Sequence, residues 1–278
     1  MINENTQWLV VTDLDGTLLN HHDYTVTAAL PAINLLQKKN IPIILNTSKT
    51  YAETIAIRQE LAINDPFIVE NGSAIYLPRK DFKSIDATQI SHKPGIRDDY
   101  WEIIPGTEQS AISHALEQIN IPADHYTRLS QITIEQAIQL TGLNEKQAAN
   151  AIKREFSEPL IWNSDQFSLD LFKQALIAYQ LTTLQGGRFL HVLGNSNKGQ
   201  ATQLLCKLYN KKIKTIVLGD SENDAAMLNT ADISVIVKSP SNHQLEQLIT
   251  PHLHTQSEAP EGWTEAINSV LDRIKNQE

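Results

Sequence analysis

The stretch Trp8-Leu9-Val10-Val11-Thr12-Asp13-Leu14-Asp15-Gly16-Thr17 joins a short apolar run to a dense group of polar residues. A continuous apolar run of this length is typical of a strand buried on both faces, as in a parallel sheet covered by helices. Asp13 and Asp15 lie two residues apart, so on an extended chain their side chains project to the same side, and Gly16 permits a tight bend beyond them. An isolated Asp-x-Asp-Gly is more often a turn, but the strand before this one favours a functional pair.

Two further apolar runs end in polar residues in the same way. Residues 41–45 lead into Asn46-Thr47-Ser48-Lys49, and residues 215–218 lead into Gly219-Asp220-Ser221-Glu222-Asn223-Asp224. In open α/β sheets, ligands bind outside the carboxyl ends of the strands, so we expect the three polar segments to share one pocket. Helical patterns lie between the runs, one of them beginning at Thr50 with capping-box spacing. The alternation predicts an α/β fold with a parallel sheet wrapped by helices.

The region between residues 82 and 190 has a different pattern. Helical segments over 107–119, 144–156 and 167–176, and a capping box at Thr133, are separated by mixed polar stretches. We interpret this region as an inserted α+β domain with a small sheet of its own. The predicted division is therefore a core made of residues 1–81 and 191–278, interrupted by an insertion of residues 82–190.

The composition narrows the classes of partner. The chain has 278 residues, with 23 Lys and Arg against 32 Asp and Glu, so the formal net charge is −9. Nucleic-acid binding needs a basic face, so we expect no nucleic-acid partner. The chain opens without a basic-then-apolar leader and contains no long uncharged apolar window, so we expect a cytoplasmic protein without a membrane partner. An acidic protein that handles anions must concentrate positive charge in one place.

The polar segments contain the parts that phosphoryl transfer needs. Several carboxylates cannot stay ionised together without a counter-charge, and oxygen ligands in this number suit Mg²⁺. One carboxylate can serve as a nucleophile and form an aspartyl-phosphate, and a second can protonate the leaving oxygen and later deprotonate water. Hydroxyls, a lysine and the metal ion would neutralise the phosphate oxygens. The metal ion and the lysine would also supply the local positive charge that the acidic chain requires.

These motifs resemble those of the haloacid dehalogenase (HAD) superfamily of aspartate-nucleophile phosphatases, and the match spans the whole chain. The resemblance implies a Rossmann-like core with an inserted cap that closes on the active site and selects the substrate. It implies Asp13 as nucleophile, Asp15 as general acid/base, Thr47 as a catalytic hydroxyl and Lys198 as the lysine that neutralises phosphate. It also implies Mg²⁺ as cofactor, with the ligand set Asp13, Asp15, Asp220 and Asp224.

Within the superfamily, the chain is most similar to the mannosyl-3-phosphoglycerate phosphatase family. The likeness is carried by Thr47-Ser48-Lys49-Thr50 and by residues 70–72, 154–159, 186–191 and 260–263. It implies hydrolysis of mannosyl-3-phosphoglycerate to mannosylglycerate and phosphate, and so a small phosphorylated glycosyl-glycerate as partner. The substrate-binding candidates are Ser48, Lys49, Arg154, Ser157, Glu158, Arg188, His191 and Asn223. Asn197 before Lys198, and Glu222 within the last motif, depart from common forms and leave room for a related sugar phosphate.

Alternatives remain open at this point. A general sugar-phosphate phosphatase has the same motifs, whereas a phosphosugar mutase must also retain and redeliver the phosphoryl group, and we disfavour it. A receiver-like binding module needs neither an acid/base at Asp15 nor a large insertion, so both features argue against it.

Surface arginines and structural histidines are common, which weakens Arg154, Arg188 and His191 as ligands. Glu70-Asn71-Gly72 fits a plain hairpin turn with a solvated glutamate as well as it fits a functional segment. The oligomeric state is not determined by the sequence.

Overall fold

The computed structural model describes residues 6–86, 88, 92–186 and 189–276 of the chain, and they form two β-sheets with helices packed around them. The strands are β1 (Thr6–Thr12), β2 (Ile43–Asn46), β3 (Phe67–Val69), β4 (Ala74–Pro78), β5 (Gly95–Arg97), β6 (Tyr100–Ile103), β7 (Tyr126–Arg128), β8 (Ser157–Trp162), β9 (Leu181–Gly186), β10 (Phe189–Gly194), β11 (Lys212–Gly219), β12 (Ile233–Lys238) and β13 (Leu253–Glu258). The helices are α1 (Leu30–Lys38), α2 (Tyr51–Glu60), α3 (Gln109–Gln118), α4 (Ile134–Thr141), α5 (Glu145–Ala151), α6 (Gln166–Ile177), α7 (Lys198–Lys207), α8 (Ala225–Leu228), α9 (Asn242–Leu248) and α10 (Glu261–Asn276).

The larger sheet is central and mainly parallel. Its strand order is β13-β12-β11-β1-β2-β3-β4-β6-β5, with parallel pairs from β13 to β3 and antiparallel pairs beyond β3. Val10 packs into the apolar layer on one face, and Leu9 and Val11 pack into the layer on the other. The apolar run is therefore buried on both faces, and the predicted α/β sheet wrapped by helices is confirmed.

Helix caps place two lysines directly at helix starts. Thr50 accepts the backbone N–H of Glu53 at 3.1 Å, and the Glu53 carboxylate accepts the N–H of Thr50 at 2.9 Å, so the predicted capping box starts α2 just after Lys49. Asn197 accepts the N–H of Gln200 at 2.9 Å, which makes Lys198 the first residue of α7. Such caps satisfy N–H groups that have no partner within the helix. Both lysines thus have a fixed backbone position.

The second sheet is antiparallel, with strand order β7-β8-β10-β9. Helices α3 and α6 cover one of its faces, where the apolar side chains in contact are Ile112, Leu116, Leu160, Phe172, Leu176, Leu190 and Val192. We call the unit formed by this sheet and its helices, residues 109–194, the cap. The insertion predicted from the sequence thus contains an α+β unit with a sheet of its own.

The edges of the insertion differ from those expected. The predicted insertion includes residues 95–103, but the structure places them in β5 and β6 at one end of the central sheet. The β10 strand runs across the expected boundary at residue 190 and pairs entirely within the cap. Short strands of either sheet look alike in sequence, and only the partner strand decides to which sheet each belongs. The division into two domains itself stays a prediction.

The last helix supports the strand that carries the first polar segment. Trp263 of α10 is fully buried, and its indole N–H donates to Oγ1 of Thr12 over 3.1 Å. Thr12 is the last residue of β1 and directly precedes Asp13. Across the part of the chain that the structure describes, no helix combines the length and apolar character needed to cross a membrane.

We expect Trp263→Ala to lower the free energy of unfolding by about 3–5 kcal/mol, because it opens a cavity and leaves a buried hydroxyl without its donor. Urea unfolding followed by circular dichroism measures the change. Phe167→Ala is the matched control, since Phe167 is 71% exposed, and it should change the free energy by no more than about 0.5 kcal/mol. Equal effects of the two substitutions would contradict the anchoring role of Trp263.

Candidate functional site

Three polar segments meet at one edge of the central sheet. They follow β1, β2 and β11, and β1 lies between the other two strands. The N–H of Asp13 donates to the carbonyl of Leu218 at 3.1 Å, and the hydroxyl of Thr17 donates to Oδ1 of Asp220 at 2.9 Å. The expectation that these strand ends converge is confirmed, because parallel neighbours end at the same edge.

A buried cluster of three carboxylates lies at this edge. Asp13, Asp220 and Asp224 each place one carboxylate oxygen within 4.8 Å of the others. Oδ2 of Asp224 accepts the backbone N–H groups of Asp220 and Ser221 at 3.0 and 3.1 Å, which fixes its side chain. Gly219 is required here, since a Cβ at this position would lie 2.5 Å from Cβ of Asp224. The cluster can therefore hold a divalent cation through oxygen ligands.

Lys198 is the positive charge within the cluster. Its Nζ lies 2.6 Å from Oδ1 of Asp13 and 2.7 Å from Oδ1 of Asp224, and its side chain is fully buried. Burial alone would lower the pKa of Lys198, but the two carboxylates raise it above its ordinary value, so the lysine stays charged. The ammonium contacts two of the three carboxylates, so the cluster contains more acidic groups than cations.

The pKa values of two acids in the cluster reflect their burial and this excess of acidic groups. Burial raises the pKa of Asp13 to about 7, and Asp224 adds to the rise while the charge of Lys198 opposes it. Burial, Asp224 and Asp13 together raise the pKa of Asp220 well above its usual range. Carboxylates crowded in this way are stabilised in their ionised form by a bound cation. Their chemistry therefore fits a metal ion.

Asp15, which the resemblance also implies as a metal ligand, lies outside this cluster. Its carboxylate pairs instead with Lys49 at 2.8 Å, and Nζ of Lys49 also lies 3.9 Å from Glu53 and 4.9 Å from the ring centroid of Tyr24. Strand β1 ends at Thr12, and Gly16 has a φ of +79°, so the strand alternation used to group the two aspartates does not extend to Asp15. Lys49 thus pairs with the second aspartate of the first polar segment.

Thr47 and Ser48 follow β2, which pairs with the strand that leads to Asp13. Thr47 is fully buried, and its Oγ1 accepts the N–H of Lys49 at 3.1 Å. The Ser48 carbonyl accepts a hydrogen bond from Arg154 of the cap at 2.8 Å. Asn223 donates to Oδ1 of Asn71 at 3.2 Å, which joins the last polar segment to the turn between β3 and β4.

The predicted cap residues divide between the two faces of its sheet. Ser157 and His191 lie on the face opposite the covering helices, and Ser157 donates to Glu70 of the core at 2.5 Å. Burial, with the charge of Arg154, lowers the pKa of His191 to about 3. Nδ1 of His191 and Nε of Arg154 are buried without a hydrogen-bond partner among the described residues. Arg188 lies outside the described residues.

Glu158 lies on the other face, against the helices, so the structure does not bring it to the active-site side. Its carboxylate accepts hydrogen bonds from Arg128 at 3.0 and 3.1 Å, from the Ser130 N–H at 3.0 Å and from Gln109 at 3.0 Å. Neighbouring residues of a strand point to opposite faces, so Ser157 and Glu158 cannot both face the core. We correct Glu158 to a residue that holds the cap together.

The sequence fits Glu70 to a solvated hairpin turn as well as to a functional segment. The interpretation as a solvated turn residue is wrong, because Glu70 is only 1% exposed and accepts hydrogen bonds from three consecutive cap residues. Arg128, the ion-pair partner of Glu158, gave no sequence signal at all, since a single arginine on a short strand looks like any surface arginine. The 70–72 motif was the one available signal for Glu70.

Comparisons with known proteins identify a family and two similar phosphatases. A model of the family of haloacid dehalogenase-like hydrolases matches residues 10–248. A glucosyl-3-phosphoglycerate/mannosyl-3-phosphoglycerate phosphatase of Methanococcoides burtonii is 35% identical, with 96% of this chain and 98% of that protein covered. A protein of the same description from Persephonella marina is 34% identical, with the same coverage of 96% and 98%.

Solved structures support the fold. A phosphatase of the haloalkanoate enzyme superfamily from Bacteroides thetaiotaomicron has a TM-score of 0.69 at 15% identity and covers 97% of each chain. A protein of Thermoplasma acidophilum has a TM-score of 0.66 at 16% identity, with 97% of this chain and 99% of that chain covered. With a family match over most of its length and relatives above 30% identity, the chain belongs to the family of haloacid dehalogenase-like hydrolases.

Proposed function

We propose that the protein is an Mg²⁺-dependent phosphatase that hydrolyses a glycosyl-3-phosphoglycerate through an aspartyl-phosphate intermediate. The observation that carries the reaction type is the ammonium of Lys198, which lies between Asp13 and Asp224 within the buried carboxylate cluster. The names of the two relatives support the substrate class. Mannosyl- and glucosyl-3-phosphoglycerate are both candidates, and a cytoplasmic location stays a prediction.

Asp13 is proposed as the nucleophile. One of its carboxylate oxygens attacks phosphorus while the bond from phosphorus to the ester oxygen breaks, which gives the aspartyl-phosphate and the free alcohol. Lys198 touches this carboxylate at 2.6 Å and would neutralise the oxygens of the transferred phosphoryl group. Thr47, at the end of the neighbouring strand, is proposed to hold the same group through its hydroxyl.

Asp15 is proposed as the general acid/base. Its side chain is about one-third exposed, at 34%, whereas that of Asp13 is at 7%, so Asp15 lies nearer to solvent. In the first step it would give a proton to the leaving oxygen, and in the second its carboxylate would take a proton from the water that attacks phosphorus. The second step breaks the bond between phosphorus and Asp13 and releases phosphate.

Mg²⁺ is proposed as the cation of the cluster. Asp13, Asp220 and Asp224 would hold it, since it prefers oxygen ligands and usually keeps water and substrate phosphate in its shell. When bound, it would supply Lewis-acid stabilisation of the phosphoryl oxygens. Asp15, whose carboxylate pairs with Lys49, stays a proposed further ligand.

The cap is proposed to recognise the glycerate carboxylate. Nε of Arg154 and Nδ1 of His191 are buried polar atoms without partners among the described residues, and a buried donor of this kind is costly unless a ligand satisfies it. The guanidinium reaches the Ser48 carbonyl, one residue from Thr47. A glycerate carboxylate lies only two carbon–carbon bonds from the phosphorylated carbon, so this placement suits it. Ser48, Lys49, Ser157 and Asn223 stay proposed substrate contacts.

We expect Asp13→Asn to lower kcat by at least about 10⁴-fold, the scale seen when a nucleophile is removed. Acid quenching with a radiolabelled ester should trap label on the wild-type protein and none on the variant. Asp272→Asn, on the exposed side of the last helix, is the control and should keep kcat within about twofold. Turnover of the Asp13 variant near the wild-type rate would refute the covalent route.

We expect Mg²⁺ to raise the melting temperature, and to raise it more at pH 8 than at pH 5.5. The pKa of Asp13 is raised to about 7, so without metal this group favours the folded state less as the pH rises from about 4 to 7. Metal binding needs ionised carboxylates and offsets this loss above pH 7. Differential scanning fluorimetry measures both trends.

Asp220→Asn should lose the stabilisation by Mg²⁺, while Asp272→Asn should keep it. EDTA should stop turnover of the wild type, and added Mg²⁺ should restore it. Turnover that is indifferent to chelation would rule out the metal requirement.

We expect glucosyl- or mannosyl-3-phosphoglycerate to exceed hexose phosphates in kcat/KM by about 10- to 100-fold, the ratio for a charge-assisted hydrogen bond of about 1.5–3 kcal/mol. A steady-state assay of released phosphate over this substrate panel measures the ratio. Equal kcat/KM for all esters would instead indicate a general sugar-phosphate phosphatase.

Arg154→Met should remove most of that preference, because it deletes the cation that would face the carboxylate. Arg79→Met is the control, since Arg79 stacks near Trp101, 5.5 Å from the ring centroid, and lies outside the site. A preference that survives in the Arg154 variant would place carboxylate recognition elsewhere.

A further inference from the structure

The turn between β3 and β4 has an unusual backbone. Glu70, Asn71 and Gly72 have successive φ values of +47°, +59° and +92°. Glycine adopts this region freely, asparagine tolerates it, and glutamate does so at a cost in conformational energy. Such a conformation persists only where the surrounding structure holds it, and it is frequent at functional sites. The contacts of the turn identify what holds it.

The backbone of the turn is bonded to the polar segments of the active site. The N–H of Glu70 donates to the Lys49 carbonyl at 3.0 Å, and the N–H of Asn71 donates to the Thr47 carbonyl at 2.9 Å. A Cβ on Gly72 would lie 2.3 Å from the carbonyl oxygen of Asn197, the residue before Lys198. The turn therefore lies directly against the segments that carry Thr47 and Lys198.

The side chain of Glu70 faces the cap. Its carboxylate accepts the backbone N–H groups of Glu155 and Phe156 at 3.0 and 3.1 Å, and the hydroxyl of Ser157 at 2.5 Å. Arg154, the next residue towards the N-terminus, donates to Ser157 at 3.2 Å and to the Ser48 carbonyl at 2.8 Å. A buried carboxylate with three donors from consecutive residues constrains the whole segment 154–157.

The electrostatics of Glu70 agree with a constrained contact. Burial raises the pKa of Glu70, while the charge of Arg154 and the hydrogen bonds from the cap oppose the rise. A buried carboxylate retains its charge only when charges and donors of this kind compensate it. Separation of the cap segment would remove all of these partners together.

We propose that Glu70 is a positioning residue: its carboxylate fastens cap segment 154–157 to the turn at residues 70–72, and thereby holds Arg154 and Ser157 at the active site. The fastening itself rests on the contacts above, and its effect on substrate recognition rests on the proposed function. Through the Glu70 side chain, motion of the cap segment is coupled to the geometry of the active-site segments.

A second contact between the same parts of the molecule provides a matched comparison. The Glu155 carboxylate pairs with Arg97 of the central sheet at 2.5 Å, but these side chains are 39% and 29% exposed. Exposed ion pairs contribute little, because water screens the charges. Glu70→Gln and Glu155→Gln make the same chemical change, each at one of these two contacts. We expect the two variants to behave differently.

The first readout is hydrogen exchange in the free protein, which does not depend on activity. In Glu70→Gln the N–H groups of Glu155 and Phe156 lose a charged acceptor, and their exchange should accelerate by about 10-fold or more. The amides of Val10 and Val11 in β1 should exchange as in the wild type. Glu155→Gln should leave all of these rates within about twofold.

The second readout is a pair of esters. For Glu70→Gln we expect kcat/KM on mannosyl-3-phosphoglycerate to fall about 10-fold or more, mainly through KM. The value for p-nitrophenyl phosphate, which has no glyceryl or glycosyl group for the cap to recognise, should change less than about twofold. If Glu70→Gln yields little folded protein, Ser157→Ala removes one of the three hydrogen bonds, and a smaller acceleration of hydrogen exchange at residues 155 and 156 is expected.

If hydrogen exchange at residues 155 and 156 is unchanged in Glu70→Gln, the proposed fastening is overturned. Accelerated exchange with an equal fall in kcat/KM for both esters would overturn the positioning role and leave a purely structural one. A wild-type protein that hydrolyses no ester would overturn the proposed function instead, and the exchange result would still decide the fastening.

Discussion

The contact between the Lys198 ammonium and the buried carboxylates of Asp13 and Asp224 is the constraint on which the rest of the structure depends. Carboxylates this close cannot all ionise without a compensating charge, and a buried lysine is costly without carboxylate partners. The order of the strands brings the acids together at adjacent strand ends, and the N-terminus of α7 supplies the lysine. Fold and site therefore stabilise each other.

Buried charges also have compensating partners at the boundary between the cap and the central sheet. Glu70 is buried there with donors from residues 155–157, and Asp15 is paired with Lys49, whose carbonyl accepts the N–H of Glu70. An acidic chain with a formal charge of −9 thus places Lys49, Arg154 and Lys198 beside buried or half-buried carboxylates. The net charge describes the surface as a whole and says little about these local pairs.

Much of the site could be predicted because strand ends are visible in sequence. Apolar runs followed by Asp13, Thr47 and Asp220 identified the edge at which they meet, and the motif order identified Lys198 and Asp224. The placement of Asp15 and Glu158 could not be predicted from neighbouring residues. A turn places the Asp15 side chain beside Lys49, and strand alternation places Glu158 on the face opposite Ser157. The environment of Glu70 depended on a contact 85 to 87 residues away in sequence.

By itself the sequence determined the α/β class, the helix caps at Thr50 and Thr133, the strand ends that carry the acids, and the family. These features follow from local periodicity, turn chemistry and short motifs, which are physical properties of neighbouring residues. Only the tertiary structure decided which carboxylates form the cluster, which sheet contains residues 95–103 and residues 189–194, and that Glu70 holds the cap segment. Those outcomes depend on which surfaces pack together, because the direction and burial of a side chain are set by partners distant in the chain.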